Sequence, residues 1–194
     1  MKKKLSIVLA VVLVLALGVG ATIAYLTATT EEVRNTFTMS PGMTLDLKES
    51  KYNNETGSLV EEEVTGNAYE NLAPGQTVPK DPKVKYTTAV KAYIFMTISD
   101  AENLTNANDS TWGNPVTDNE GHKYYCKAVE PTDTETPINV LNNTSVMVNL
   151  MDKDGNPLTK DSTLGTIIVK AAAIQQEGLS VTDAWEEVKG NIAQ

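Results

Sequence analysis

The sequence predicts an all-β fold: a jelly-roll-like antiparallel β-sandwich with a short C-terminal helix, preceded by a helical signal peptide. Three observations lead there. Short segments of alternating apolar and polar residues recur between turns rich in Pro, Gly and Asn. One segment, Ala92 to Ile98, is apolar on both faces and reads as a central strand. The apolar spacing changes to a helical period only after Ser180.

The chain opens with Lys2, Lys3 and Lys4, an apolar run from Leu5 to Gly20, and Ala21-Thr22-Ile23-Ala24. A basic start, an apolar core and small residues at a cut site describe a secretory signal. Thr22 and Ala24 suit the small pockets of a signal peptidase, which places the cut between Ala24 and Tyr25. An uncleaved anchor is the alternative, since Leu5 to Leu26 is long enough to span roughly 30 Å of hydrocarbon. In either case the lysines stay cytoplasmic and the rest lies outside the membrane. The expected organisation is a signal peptide over 1–24, a mature N-terminal segment over 25–39 and one β-sandwich domain over 40–194.

Within the mature segment, Asn35-Thr36-Phe37-Thr38-Met39 alternates, so Phe37 and Met39 share one face of a short strand. Ser40-Pro41-Gly42 is a turn signal. Met43 to Lys48 alternates with Met43, Leu45 and Leu47 inward. Glu49 to Glu70 is polar and reads as a loop with room for one hairpin. Pro79-Lys80-Asp81-Pro82 gives a rigid, extended entry to a strand from Lys83 to Thr87, with Val84 and Tyr86 on one face. Ser99 to Asn119 reads as a polar excursion from the core that carries Trp112. Tyr124 to Val129 reads as a strand, Glu130 to Thr136 as a polar loop and Thr144 to Met151 as a strand. Asp152 to Asn156 reads as a hairpin turn, and Thr166 to Ile174 as a core strand. Ser180 or Thr182 caps a helix along which Val181, Ala184, Trp185, Val188 and Ile192 recur at helical spacing, with Gly190 expected to end or fray it. About eight strands result.

Composition narrows the function. The 194 residues hold 16 basic and 25 acidic side chains, a net charge of −9. Residues 1–24 contain three of the lysines and no acid, so the mature chain carries −12. Such a surface argues against nucleic acid, where cations must replace counterions. Cys126 is the single cysteine, so an exported domain without an internal disulfide must rest on its core. The Asn-x-Ser/Thr sequences, as at Asn54 and Asn103, read as turn residues.

No residue pattern presents a catalytic centre, a metal site or a cofactor site. His122 is the single histidine, which excludes a zinc helix with histidines four apart. Cys126 and His122 sit four residues apart, about 13 Å along a strand and too far for proton transfer. Asp152, Asp154 and Asn156 match the first positions of a calcium loop, but Pro157 replaces its glycine and Thr163 its final glutamate. Open sheet edges carry more promise. A flexible tail ending in strand-like residues can add itself to the edge of another copy.

The junction Gly20-Ala21-Thr22-Ile23-Ala24-Tyr25-Leu26-Thr27, followed by Asn35-Thr36-Phe37-Thr38 and the Leu45-Asp46-Leu47 strand, resembles the SipW-dependent exported proteins of Gram-positive bacteria. That family includes the biofilm fibre protein TasA and camelysin. Asn71-Leu72-Ala73-Pro74-Gly75 with Lys80-Asp81 is similar to a family segment, and Ala173 to Gly178 leading to Ala184-Trp185 resembles its final strand and helix. The resemblance implies cleavage after Ala24 by the signal peptidase SipW, a jelly-roll domain, and fibres in which residues 25–39 complete a neighbour's sheet. The expected function is a secreted structural protein of the cell surface or biofilm matrix, self-associating and not an enzyme. Two alternatives stand beside it: a monomeric surface adhesin with contacts on the 99–119 loop, and a camelysin-like secreted metalloendopeptidase.

Overall fold

The computed structural model describes residues 42–99, 101–107 and 109–193. The apolar N-terminal run, the junction of Ala24 and Tyr25, and the segment Asn35, Thr36, Phe37, Thr38 and Met39 lie outside the described residues.

The chain forms β1 (Thr44–Asn53), β2 (Ser58–Val64), β3 (Thr77–Pro79), β4 (Lys83–Thr88), β5 (Ala92–Ile98) and β6 (Leu104–Thr105). It continues with β7 (Val116–Thr117), β8 (Lys123–Val129), β9 (Thr132–Asn139), β10 (Ser145–Val148) and β11 (Val169–Gln175), then helix α1 (Val181–Ile192). The strands make three sheets, ordered β2-β1-β4-β9, β3-β10-β6 and β11-β5-β8-β7. Every pairing is antiparallel. The described residues are therefore an all-β sandwich with one C-terminal helix.

The layers follow from the side-chain period. Val84 and Tyr86 of β4 point the same way because they are two apart. They meet Ile94 and Met96 of β5, Tyr125 and Val129 of β8, and Val78 and Val146 from the short sheet in one apolar core. The opposite face of β5 carries Tyr93 and Phe95, which pack with Tyr124 beneath Ala184, Trp185, Val188 and Ile192 of α1. Trp185 stacks on Tyr124 at 4.1 Å between ring centroids. Every residue of β5 from Ala92 to Thr97 is buried, as its two apolar faces predict.

Local chemistry sets the helix ends. Ser180 Oγ accepts the Asp183 amide at 3.2 Å and caps the start. The helix does not end at Gly190 but runs to Ile192. Ile192 is buried and its carbonyl accepts Thr97 Oγ1–H at 2.8 Å, so packing overrides the glycine's weak propensity.

Other boundaries also move. Glu49–Glu70 holds the β1–β2 hairpin, with Gly57 at φ +68° in the turn. Residues 132–136 are not a loop but the first part of β9, which pairs with β4 from Lys83 to Thr88. A sheet edge needs few apolar side chains, so its polar composition hid it. The 99–119 stretch returns to the sheets through β6, β7 and a bridge between Ser110 and Leu141 rather than leaving the core.

Trp185 fills the space between α1 and the sheet. Trp185→Ala should lower stability by about 3–5 kcal/mol in urea unfolding, while Trp185→Phe should cost clearly less. An unchanged midpoint for the alanine variant would contradict this packing.

Candidate functional site

The first polar cluster fixes the helix. Asp118, just after β7, is almost fully buried. Its Oδ1 accepts the amides of Glu120 and His122, both at 2.9 Å. Its Oδ2 accepts Trp185 Nε1–H at 2.8 Å and lies 3.0 Å from His122 Nδ1. Burial pushes this carboxyl up, but the donors from Trp185, His122 and the two amides outweigh it and hold the group well below the usual carboxylate range. Lys189 of α1 adds ion pairs at 2.7 Å to Glu120 and Glu186. His122 thus has an orienting carboxylate, but one shared with the indole that anchors α1. Sequence reading missed this centre. Its available signal was the buried Trp185, whose N–H needs an acceptor.

The remaining chemistry-bearing residues are tied to the fold. Cys126 is half-buried on β8, and burial pushes its thiol up to about 11, away from the thiolate that a nucleophile needs. Asp152 Oδ1 accepts the amides of Asp154 and Asn156 at 2.9 and 2.8 Å and closes its own turn. Among the described residues no group of three or more His, Cys, Asp or Glu is placed to hold a metal ion. Trp112 is half-buried and donates its Nε1–H to the Asn139 carbonyl at 2.9 Å.

A second cluster lies in the seam beside β1. Lys80 Nζ donates to Glu49 Oε2 at 2.7 Å, and both side chains are at least nine-tenths buried. Lys80 follows Val78 by two residues in extended chain, so the period that buries one buries the other. Tyr69 lies under the ammonium, 5.7 Å from ring centroid to Nζ. Burial, with Glu49 and Asp81 close by, pushes the Tyr69 phenol well above its ordinary value. Asn67 fills the break in the β1–β2 ladder between Ser50 and Lys51: it accepts the Tyr52 amide at 2.6 Å and donates to the Ser50 carbonyl at 2.8 Å. Around this pair runs a cavity of about 320 Å³, lined by Tyr69, Leu72, Leu104, Leu164 and Ile167 among others. A smaller one of about 190 Å³ lies between Leu47 and Glu49 on β1 and Ile167 and Val169 at the start of β11.

β2 ends its sheet with Glu61, Glu62 and Glu63, two of them paired to Lys51 and Lys85. β9 ends the other side and carries Asp133, Glu135 and Pro137. The Val140 amide donates to the Pro82 carbonyl at 2.9 Å. Alternation then points Ile138 toward β4 and turns Pro137, which has no N–H, to the outside. Charge runs and edge prolines are the usual protection against unwanted pairing. β3, β6 and β7 are two or three residues long.

β11 differs. It is seven residues long, its one charged residue is Lys170, and among the described residues it pairs with β5 alone. Gln176 N donates to the Lys91 carbonyl and Ser99 N to the Ile168 carbonyl, both at 2.9 Å. These bonds fix the register at both ends. Lys170, Ala172 and Ile174 direct their backbone groups at β5, whereas Val169, Ala171, Ala173 and Gln175 direct theirs at the open edge. Val169, Ala171 and Ala173 also face the sandwich core, and are only partly covered there.

No protein-family model, no curated protein and no solved structure matches this chain. Of the residues singled out by sequence, Ala24, Tyr25 and Asn35 to Met39 lie outside the described residues.

Lys80→Met should lower stability by about 3–5 kcal/mol, because Glu49 is left buried and unpaired. Combining it with Glu49→Leu should recover much of that loss in urea unfolding. A single variant as mild as the double would show that the pair is not buried as described. Cys126 should react with iodoacetamide at pH 8 roughly a hundredfold more slowly in the folded chain than in urea. The folded thiol holds its proton more tightly than the unfolded one, so this group's contribution to stability is full below about pH 8.5 and is lost as pH rises toward 11. Equal alkylation rates would contradict its burial.

Proposed function

We propose that this chain is a secreted structural protein of the bacterial cell surface or biofilm matrix, whose copies join by β-strand exchange. The observation that carries the reading is the edge of β11. It is long, nearly uncharged and partly open on its core side, in a domain whose other long edges bear acids or proline. The sequence supplies the second half: an export signal and, behind the cut, residues 25–39 ending in an alternating strand-like segment. Strand addition needs an open edge and an extended segment, because backbone hydrogen bonds give the affinity and alternate side chains the specificity.

On this reading the sandwich is of jelly-roll type, supported by two four-stranded sheets whose neighbours are largely non-consecutive in sequence. The resemblance to SipW-dependent exported proteins supports the compartment and the signal peptidase as a transient partner. The buried polar groups serve the fold: Asp118 holds α1, and Glu49 with Lys80 closes the seam.

Residues 25–194, purified as the mature chain, should form filaments visible by electron microscopy and increase light scattering with time. Residues 40–194 should remain monomeric under the same conditions. A mature chain that stays monomeric at every concentration and salt, or a truncated chain that forms the same filaments, would overturn the proposal.

A further inference from the structure

We infer that Lys80 and Asn67 become joined by an amide bond between their side chains, with Glu49 moving the protons. The chain thereby braces itself beside β1, where its single cysteine can supply no internal disulfide. This does not rest on the strand-exchange reading.

Three side chains meet in the seam. Lys80 Nζ donates to Glu49 Oε2 at 2.7 Å, and both are at least nine-tenths buried. The chain stays beside β1 past the last ladder pair, Lys48 with Lys83, because Asp81 accepts the Ser50 amide at 2.9 Å and its hydroxyl at 2.8 Å. Antiparallel register then brings Lys80 alongside Lys51. Asn67 brackets that same residue, since its side chain donates to the Ser50 carbonyl and accepts the Tyr52 amide. Tyr69 touches both partners. Its ring lies under the Lys80 ammonium, and its oxygen is within hydrogen-bonding reach of the Asn67 side chain. Asn67 and Lys80 also stand together on the walls of both cavities of the seam.

Each group has a part in amide exchange. A lysine attacks a carbonyl only as the free amine, and Glu49 is placed to take its proton. That transfer turns a buried ion pair into a neutral amine and a neutral acid, which relieves the desolvation of two charges. The Tyr52 amide, 2.6 Å from Asn67 Oδ1, polarises the carbonyl and holds the charge that develops on its oxygen as Nζ adds to Cγ. Glu49 then gives its proton to Nδ2 and takes one from Nζ. The Cγ–Nδ2 bond breaks and ammonia leaves. A neutral Nζ–Cγ amide remains, beside a neutral Glu49, and the balance closes with no further reactant. Backbone contacts preorganise the attack, for the Lys80 amide donates to the Thr144 carbonyl at 2.9 Å. The new bond ties the chain after β2 to the entry of β4 and restricts the unfolded chain as a disulfide does. The ion pair is the state from which the reaction starts, so the unfolding comparison of Lys80→Met with the double variant refers to unreacted chain.

The test is the intact mass of the purified protein in denaturant, followed over days at neutral pH after folding. The folded chain should become lighter than its sequence by one ammonia, and proteolysis should release a branched peptide joining Lys80 to Asn67. Chain held in urea should keep its sequence mass. Lys80→Arg and Asn67→Ala should keep theirs, and Glu49→Gln should slow the loss by about a hundredfold or more. A wild-type mass that never departs from the sequence overturns the inference whether or not the variants fold. So does an ammonia loss that proteolysis places in a succinimide at an asparagine, with no branched peptide. A folded Glu49→Gln chain that forms the branched peptide at the wild-type rate overturns the role given to Glu49.

Discussion

Ala92 to Thr97 are buried on both faces of β5, with Ile94 and Met96 in the core between the sheets and Tyr93 and Phe95 beneath α1. That double burial fixes the order of layers. The β11-β5-β8-β7 sheet must have the other sheets on one side and the helix on the other, because β5 has no polar face to give to water. It also explains the anchoring of α1. Thr97 beneath the helix and Trp185 on its buried face carry polar atoms that need partners, and they find them in the Ile192 carbonyl and Asp118. The edge strand β11 is held in seven register pairs to this central strand. Its backbone is therefore held firmly along one side and does not fray.

How a sheet ends is as much a property of sequence as how it packs. β2 and β9 carry glutamates, aspartate and proline where a neighbour would pair. β11 carries Val-Lys-Ala-Ala-Ala-Ile-Gln, which packs moderately on both faces and repels nothing. The net charge of −9 keeps copies apart in general. On the proposed reading, association comes from a local contact strong enough to act against that repulsion, and a row of backbone hydrogen bonds at a sheet edge is such a contact.

Much of this was legible in the sequence. The alternation of Val84 and Tyr86, the two apolar faces of 92–98 and the helical spacing of Ala184, Trp185, Val188 and Ile192 each state burial directly. What sequence could not show depends on pairing across distance. β9 is polar because it lies at an edge, so periodicity had nothing to register. Gly190 continues the helix because Ile192 is held from another strand. Asp118 and Trp185 are 67 residues apart, and Glu49 and Lys80 are 31 apart. Neither pair has a local signature beyond the general demand that a buried polar group be satisfied. The candidate edge was half legible: residues 166–174 read as a core strand, but which strand ends its sheet among the described residues follows from sheet order alone.

The most direct measurement is residue-resolved amide hydrogen exchange along β11 in the monomer and in assembled material. The account predicts an alternating pattern in the monomer, with Lys170, Ala172 and Ile174 protected by β5 and Val169, Ala171 and Ala173 exchanging fast. On assembly the second set should become as slow as the first. Amides of Ala171 and Ala173 already protected in the monomer, or still fast in filaments, would contradict it.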